Sequence, residues 1–72
     1  MLNNLYNKLN SADYTTEIYD NAIHLYAGEK EVHVYTENDQ LEVYLFDDDD
    51  CIESEFFDNE TIAYYHIRGF LY

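Results

Sequence analysis

Positive charge is what this 72-residue chain lacks most: Lys8, Lys30 and Arg68 stand against sixteen Asp and Glu, for a formal net charge of −13. That scarcity excludes direct binding of nucleic acid, whose affinity comes largely from cations that displace counterions. Aromatic side chains without a basic groove do not make a stacking platform either. Anionic lipid would repel such a surface, and no stretch approaches the ~20 apolar residues of a membrane-spanning helix. Cys51 is the single cysteine, which rules out an internal disulfide, and it reads as a small half-buried hydrophobe. Proline is absent and glycine occurs only as Gly28 and Gly69, so no Gly-rich loop is present to cradle phosphate. The first residues show no basic region followed by a long apolar run, and the expected location is cytoplasmic.

The rest of the composition is that of a folded protein. Apolar residues make up 47% and aromatic residues 18%, with nine Tyr and four Phe. Such a chain can bury enough surface to escape the disorder that high charge otherwise brings. Its length allows one domain, residues 1–72, in which only ~60% of the unfolded surface becomes buried. Little room remains beside that core for a deep pocket of ~300–1,000 Å³, which favours a binding module over an enzyme. A net charge of −13 exceeds the magnitude of roughly 2–8 that solubility requires, and its self-repulsion costs stability. Halophilic adaptation would also enrich acids. The seven Asn beside abundant Tyr and Ile, however, suggest an AT-rich coding sequence that normally brings many Lys, so the shortage of cations looks selected.

Along the chain, Leu2, Leu5, Tyr6 and Leu9 have the spacing of one helix face, predicting an amphipathic helix that ends near Asn10–Ser11. Because Asn is a mediocre helix former, that helix must owe its existence to packing. From Tyr14 the period becomes two. Alternating runs over 14–19, 22–26, 31–35 and 41–46 are separated by turns at Asp20-Asn21, Ala27–Lys30 and Glu37–Gln40, predicting antiparallel neighbours. The run Asp47-Asp48-Asp49-Asp50 should break the pattern, since four like charges resist a paired ladder. Residues 51–57 read as a strand, or as a helical turn capped by Asp50. After a turn at Asp58-Asn59-Glu60, residues 61–68 read as a last strand. The expected fold class is α+β: one N-terminal amphipathic helix covering the apolar face of a twisted antiparallel sheet of five or six strands.

Candidate chemistry is thin. Asp47, Asp49 and Glu53 give part of a calcium-loop spacing, but the central Gly is missing. His24 and His33 could meet across the second hairpin, yet no Cys or further ligand stands at zinc-site spacing, and exposed strand histidines are the expectation for His24, His33 and His66. No nucleophile motif is present, so we expect no catalytic residues, no metal and no cofactor.

The acids themselves are the candidate ligand. Residues 47–60 hold Asp47, Asp48, Asp49, Asp50, Glu53, Glu55, Asp58 and Glu60, with Glu53 and Glu55 sent to one face roughly 6.6 Å apart by strand rise. Glu31, Glu37, Asp39 and Glu42 form a second group around the third turn, with Tyr35 and Tyr44 as nearby surface aromatics. A globule of this length is roughly 29 Å across, which gives about one net charge per 2.2 Å. Duplex DNA carries about one per 1.7 Å, so imitation of a short duplex is attainable.

Small acidic single domains with an N-terminal helix and an antiparallel sheet resemble phage-encoded anti-CRISPR and anti-restriction DNA mimics. The opening of this chain, a Leu/Asn-rich helix running into Asp13-Tyr14-Thr15, is similar to that of an acidic Cas9 inhibitor. The resemblance implies an inhibitor that occupies the DNA- or PAM-binding channel of a bacterial defence complex, most readily a CRISPR effector, in the host bacterial cytoplasm. Its partner would be the basic DNA-binding surface of a protein or ribonucleoprotein. No functional residue is carried over, because the class has no common motif. The alternative is an acidic adaptor or immunity-type protein that binds a basic partner unrelated to DNA. An exposed strand edge leaves both monomer and dimer open.

Overall fold

The computed structural model describes residues 2–11 and 13–72. Helix α1 (Leu2–Leu9) is followed by strands β1 (Thr15–Ile18), β2 (Ala22–Ala27), β3 (Lys30–Glu37), β4 (Gln40–Asp47) and β5 (Asp50–Phe57), and then by helix α2 (Glu60–Leu71). The strands form one five-stranded antiparallel sheet in the order β1-β2-β3-β4-β5. Both helices lie on the same side of it. Leu2, Leu5 and Leu9 of α1 and Ala63 and Ile67 of α2 join Ile23, Leu25, Val32, Val34, Leu41, Val43 and Leu45 in a single core. The α+β expectation of an N-terminal helix over an antiparallel sheet holds, with five strands and a second helix. The molecule measures 29 × 24 × 20 Å, with a radius of gyration of 10.9 Å.

The second helix corrects the sequence reading of 61–68 as a strand. Residues 62–67 are nearly all apolar, so both parities look hydrophobic and the period carries no information. The deciding signal is Asn59, which caps the helix instead of forming a turn. Its extended backbone (φ −134°, ψ 128°) places its side-chain oxygen to accept from the amides of Thr61 at 2.7 Å and Ile62 at 3.2 Å. That is an N-cap, worth about 1 kcal/mol, and Glu60 in the first turn and Arg68 in the last suit the helix dipole.

The run Asp47–Asp50 also departs from expectation. It does not interrupt the ladder but closes it: Asp47 pairs with Asp50, and Asp48 and Asp49 adopt φ of 52° and 70°. Two positive φ values in a row match a type I′ hairpin turn, whose twist suits the flanking strands, and Asp is among the residues that tolerate them. Asn38 and Asp39, at φ 51° and 64°, close β3 onto β4 in the same way. Residues 51–57 are strand, with a bulge against Leu45/Phe46. Cys51 is exposed on that edge strand rather than half-buried. Among the described residues no helix is long and apolar enough to cross a membrane.

Candidate protein-binding face

Because both helices cover one side of the sheet, the other side is open to solvent. The register determines what it displays. Glu17, His24, His33, Tyr44 and Ser54 lie in one cross-strand row, and Tyr26, Glu31, Phe46 and Cys51 in the next. Tyr35, Glu42 and Phe56 form a third, beginning at Ala22. Period-two alternation puts hydrophobes on the helix side and these aromatics and acids on the open side.

The rings touch one another across the strands. His24 and His33 stack at 4.2 Å, His33 packs on Phe46 at 4.7 Å, and Tyr35 meets Tyr44 edge-on at 5.8 Å. Tyr19 closes the chain against His24 at 5.2 Å. Such cross-strand aromatic pairs stabilise a sheet even on its wet side. His33, Tyr35, Tyr44 and Phe46 also line, with Glu37 and Glu42, a shallow concavity of about 610 Å³.

Carboxylates are interleaved with the rings. Glu31 Oε2 lies 3.1 Å from His33 Nε2, and the Tyr19 hydroxyl donates to Glu17 at 3.1 Å. The Glu17 contact raises the Tyr19 phenol above its ordinary value, and a hydrogen bond to Glu42 raises that of Tyr44. Burial is the first cause raising Tyr26, reinforced by Glu17 and Glu31. These phenols stay neutral donors at physiological pH, so the negative charge of the face is carboxylate charge.

The expected partner-binding residues divide into several places. Glu31, Glu42, Tyr35 and Tyr44 share the open face. Glu37 and Asp39 stand at one end of the sheet, and Asp58 joins them there by accepting from Gln40 Nε2 at 2.7 Å. Asp47, Asp48, Asp49 and Asp50 form the turn at the opposite end, where Asp48 N donates to the Glu29 carbonyl at 2.9 Å. Glu53 and Glu55 do share a face of β5, but it is the helix side, opposite Leu45 and Val43. Glu60 opens α2, where its Oε1 lies 3.4 Å from Asn4 Nδ2. The acids of 47–60 are therefore contiguous in sequence and dispersed in space.

All three Lys and Arg lie on the helix side. Lys8 reaches Thr61 and the Tyr64 ring, Lys30 donates to the Phe70 carbonyl at 2.8 Å, and Arg68 lies on α2 over Tyr72. The open face contains none of them; of the two acidic ends, the one at Asp47–Asp50 has Lys30 directly across from Asp47.

The sequence allows His24 and His33 to meet and Glu17 to extend the second acidic group, but it did not place them with Phe46 on one face. The signal was available in part: across a two-residue turn, residues equidistant from the turn are partners, so a chain of pairs can be read from Glu17 to Tyr44. After that, the bulge at Leu45/Phe46 shifts the partner on β5 to Ser54. Sequence reasoning also missed the position of His66. On α2, this ring touches Glu53 through Nε2 and lies 3.7 Å from Glu55 Oε2. One donor atom from each of Glu53, Glu55 and His66 falls within 4.8 Å of the others, the one such metal-compatible group among the described residues. Compared with known proteins, the chain matches no family model, no curated sequence and no solved structure.

Proposed function

We propose that this chain is a non-enzymatic binding protein whose open sheet face, with its acidic ends, docks onto the cationic nucleic-acid-contacting surface of a partner and excludes nucleic acid from it. The observation that supports this reading is the segregation of charge: Glu17, Glu31 and Glu42 stand among rings on an uncovered face from which every Lys and Arg is absent. A basic cleft would steer such a surface into place, and Arg guanidinia would pair with its carboxylates in bidentate forks. Tyr35, Tyr44 and Phe46 would supply contact area with few rotors to freeze, the side-chain class that dominates interface energetics. Asp47–Asp50 at one end and Glu37, Asp39 and Asp58 at the other would extend the contact along a partner groove.

The resemblance to anti-CRISPR and anti-restriction DNA mimics directs the first test to defence nucleases. Guide-loaded Cas9 and a restriction complex are assayed for duplex binding with increasing amounts of the chain. The expected result is competitive loss of DNA binding that weakens steeply as salt rises. Replacing Glu31 and Glu42 by Gln and Tyr35 and Tyr44 by Ala should weaken inhibition by about 2 kcal/mol or more. Binding that duplex DNA fails to displace would instead make the chain an acidic adaptor or immunity-type protein.

A further inference from the structure

On the opposite side of the sheet, the geometry points to a transition-metal site built from Glu53, Glu55 and His66, of the kind that takes Zn²⁺. The register sets up the anomaly. On the central strands β2–β4 the helix-side positions in these rows are all Val, Leu or Ile, whereas the edge strand β5 places carboxylates opposite Leu45 and Val43. Across from them, His66 stands one residue before buried Ile67, its ring held against Phe57 at 5.0 Å. Both carboxylates aim at the same atom, His66 Nε2.

A hydrogen-bonded His–Glu pair would account for one carboxylate. It leaves the second as a like charge beside the first, and among the described residues neither has a Lys or Arg partner. A divalent cation accounts for all three groups together. It neutralises both carboxylates and replaces the proton between oxygen and ring nitrogen. Donor atoms within 4.8 Å of one another need only side-chain rotation to reach the separations of a common ion bound at ~2.0–2.2 Å.

The donor set selects the metal. Calcium and magnesium want oxygen ligands throughout, whereas one imidazole with two carboxylates suits zinc and its neighbours. Three protein ligands leave a fourth position open. Glu53 and His66 also line a cleft of about 450 Å³ with Ile52, Tyr65 and Phe70, which has room for a water or an exogenous donor to complete the shell. The bound ion would tie α2 to the edge strand, which otherwise meets the helix through few apolar contacts.

The test uses the full chain stripped with chelator. Calorimetric titration with Zn²⁺ should show one equivalent bound ahead of any weak binding to the acidic turns, and Mg²⁺ in excess should not displace it. His66→Gln, Glu53→Gln and Glu55→Gln should each weaken that step about tenfold or more, while Asp48→Asn/Asp49→Asn leaves it unchanged. In the unaltered protein, Zn²⁺ should shift amide resonances of residues 52–56 and 63–67 selectively, a readout that needs no variant to fold. Shifts centred on His24 and His33, shifts spread over the acidic turns, or displacement of Zn²⁺ by Mg²⁺ would overturn the assignment.

Discussion

The imidazoles of His24 and His33 lie face to face on adjacent strands, 4.2 Å apart and within 14° of parallel. Protonating both would set two cations in contact. Burial lowers the pKa of His24 from its ordinary 6.5, and the neighbouring His33 charge lowers it further, against weaker opposing pulls from Glu17 and Glu31. With a folded pKa below the unfolded one, the unfolded chain binds more protons between them. Stability is therefore intact above pH 6.5 and is lost as pH falls through the folded value. Urea midpoints at pH 7.5 and pH 5 should differ less in His24→Phe than in the unaltered protein. Equal acid sensitivity in both would place the effect elsewhere.

The turn at Asp48-Asp49 gives a prediction in which stability and function move oppositely. Both residues hold positive φ, a conformation that costs a non-Gly residue roughly 1–2 kcal/mol. Asn-Gly is the dipeptide this turn geometry favours. Replacing Asp48-Asp49 by Asn-Gly should stabilise the fold by about 1 kcal/mol, or ~4–8 °C in melting temperature for a domain of this size. If the acidic ends contribute to partner binding, the same variant should bind less well. Thermal melts and the DNA-competition assay check the two halves separately.

These two cases show what was legible in the sequence. Helix α1 and strands β1–β4 could be read because apolar residues alternate cleanly between turn signals, and two-residue turns fix the partners on either side; residues 51–57 stayed open between a strand and a helical turn. The meeting of His24 and His33 that the hairpin allows is realised in the register. Helix α2 was not legible from period, because residues 62–67 are apolar on both parities and only the cap at Asn59 distinguishes helix from strand. The acidic segment 47–60 misled for a geometric reason: a hairpin and a chain reversal carry Asp48 and Asp58 to opposite ends of the sheet. The convergence of His66 on Glu53 and Glu55 depends on α2 and was hidden with it.

Among the described residues, Lys30 is the cation with the shortest hydrogen bond. Its ammonium donates to the Phe70 carbonyl at 2.8 Å and sits 5.1 Å from the Phe70 ring centre. It thereby ties the start of β3 to the last turn of α2, where the helix dipole favours positive charge. Lys30→Met keeps much of the aliphatic stem and removes the donor. About 1 kcal/mol should be lost, with hydrogen exchange accelerating first in residues 68–71. A variant with unchanged stability and exchange would mean that solvent replaces the ammonium at no cost.

Tyr14 governs the alkaline limit. Burial, a hydrogen bond with Tyr72, and the charges of Tyr72, Tyr64 and Asp13 push its phenol up from 10.0 to about 12. A folded pKa above the unfolded one means the folded state holds its proton longer. Stability present below pH 10 is therefore lost as pH rises through about 12. Tyr14→Phe cannot ionise, so its urea midpoint should decline less over that range. At neutral pH the same change removes the contact with Tyr72 and should cost about 1 kcal/mol. The two variants' stability curves should therefore converge at high pH. An ultraviolet titration locates the cause: the difference between the unaltered protein and Tyr14→Phe should report one phenol ionising late. Parallel stability curves, or a difference spectrum that titrates near 10, would show that Tyr14 is as free in the folded protein as in the unfolded chain.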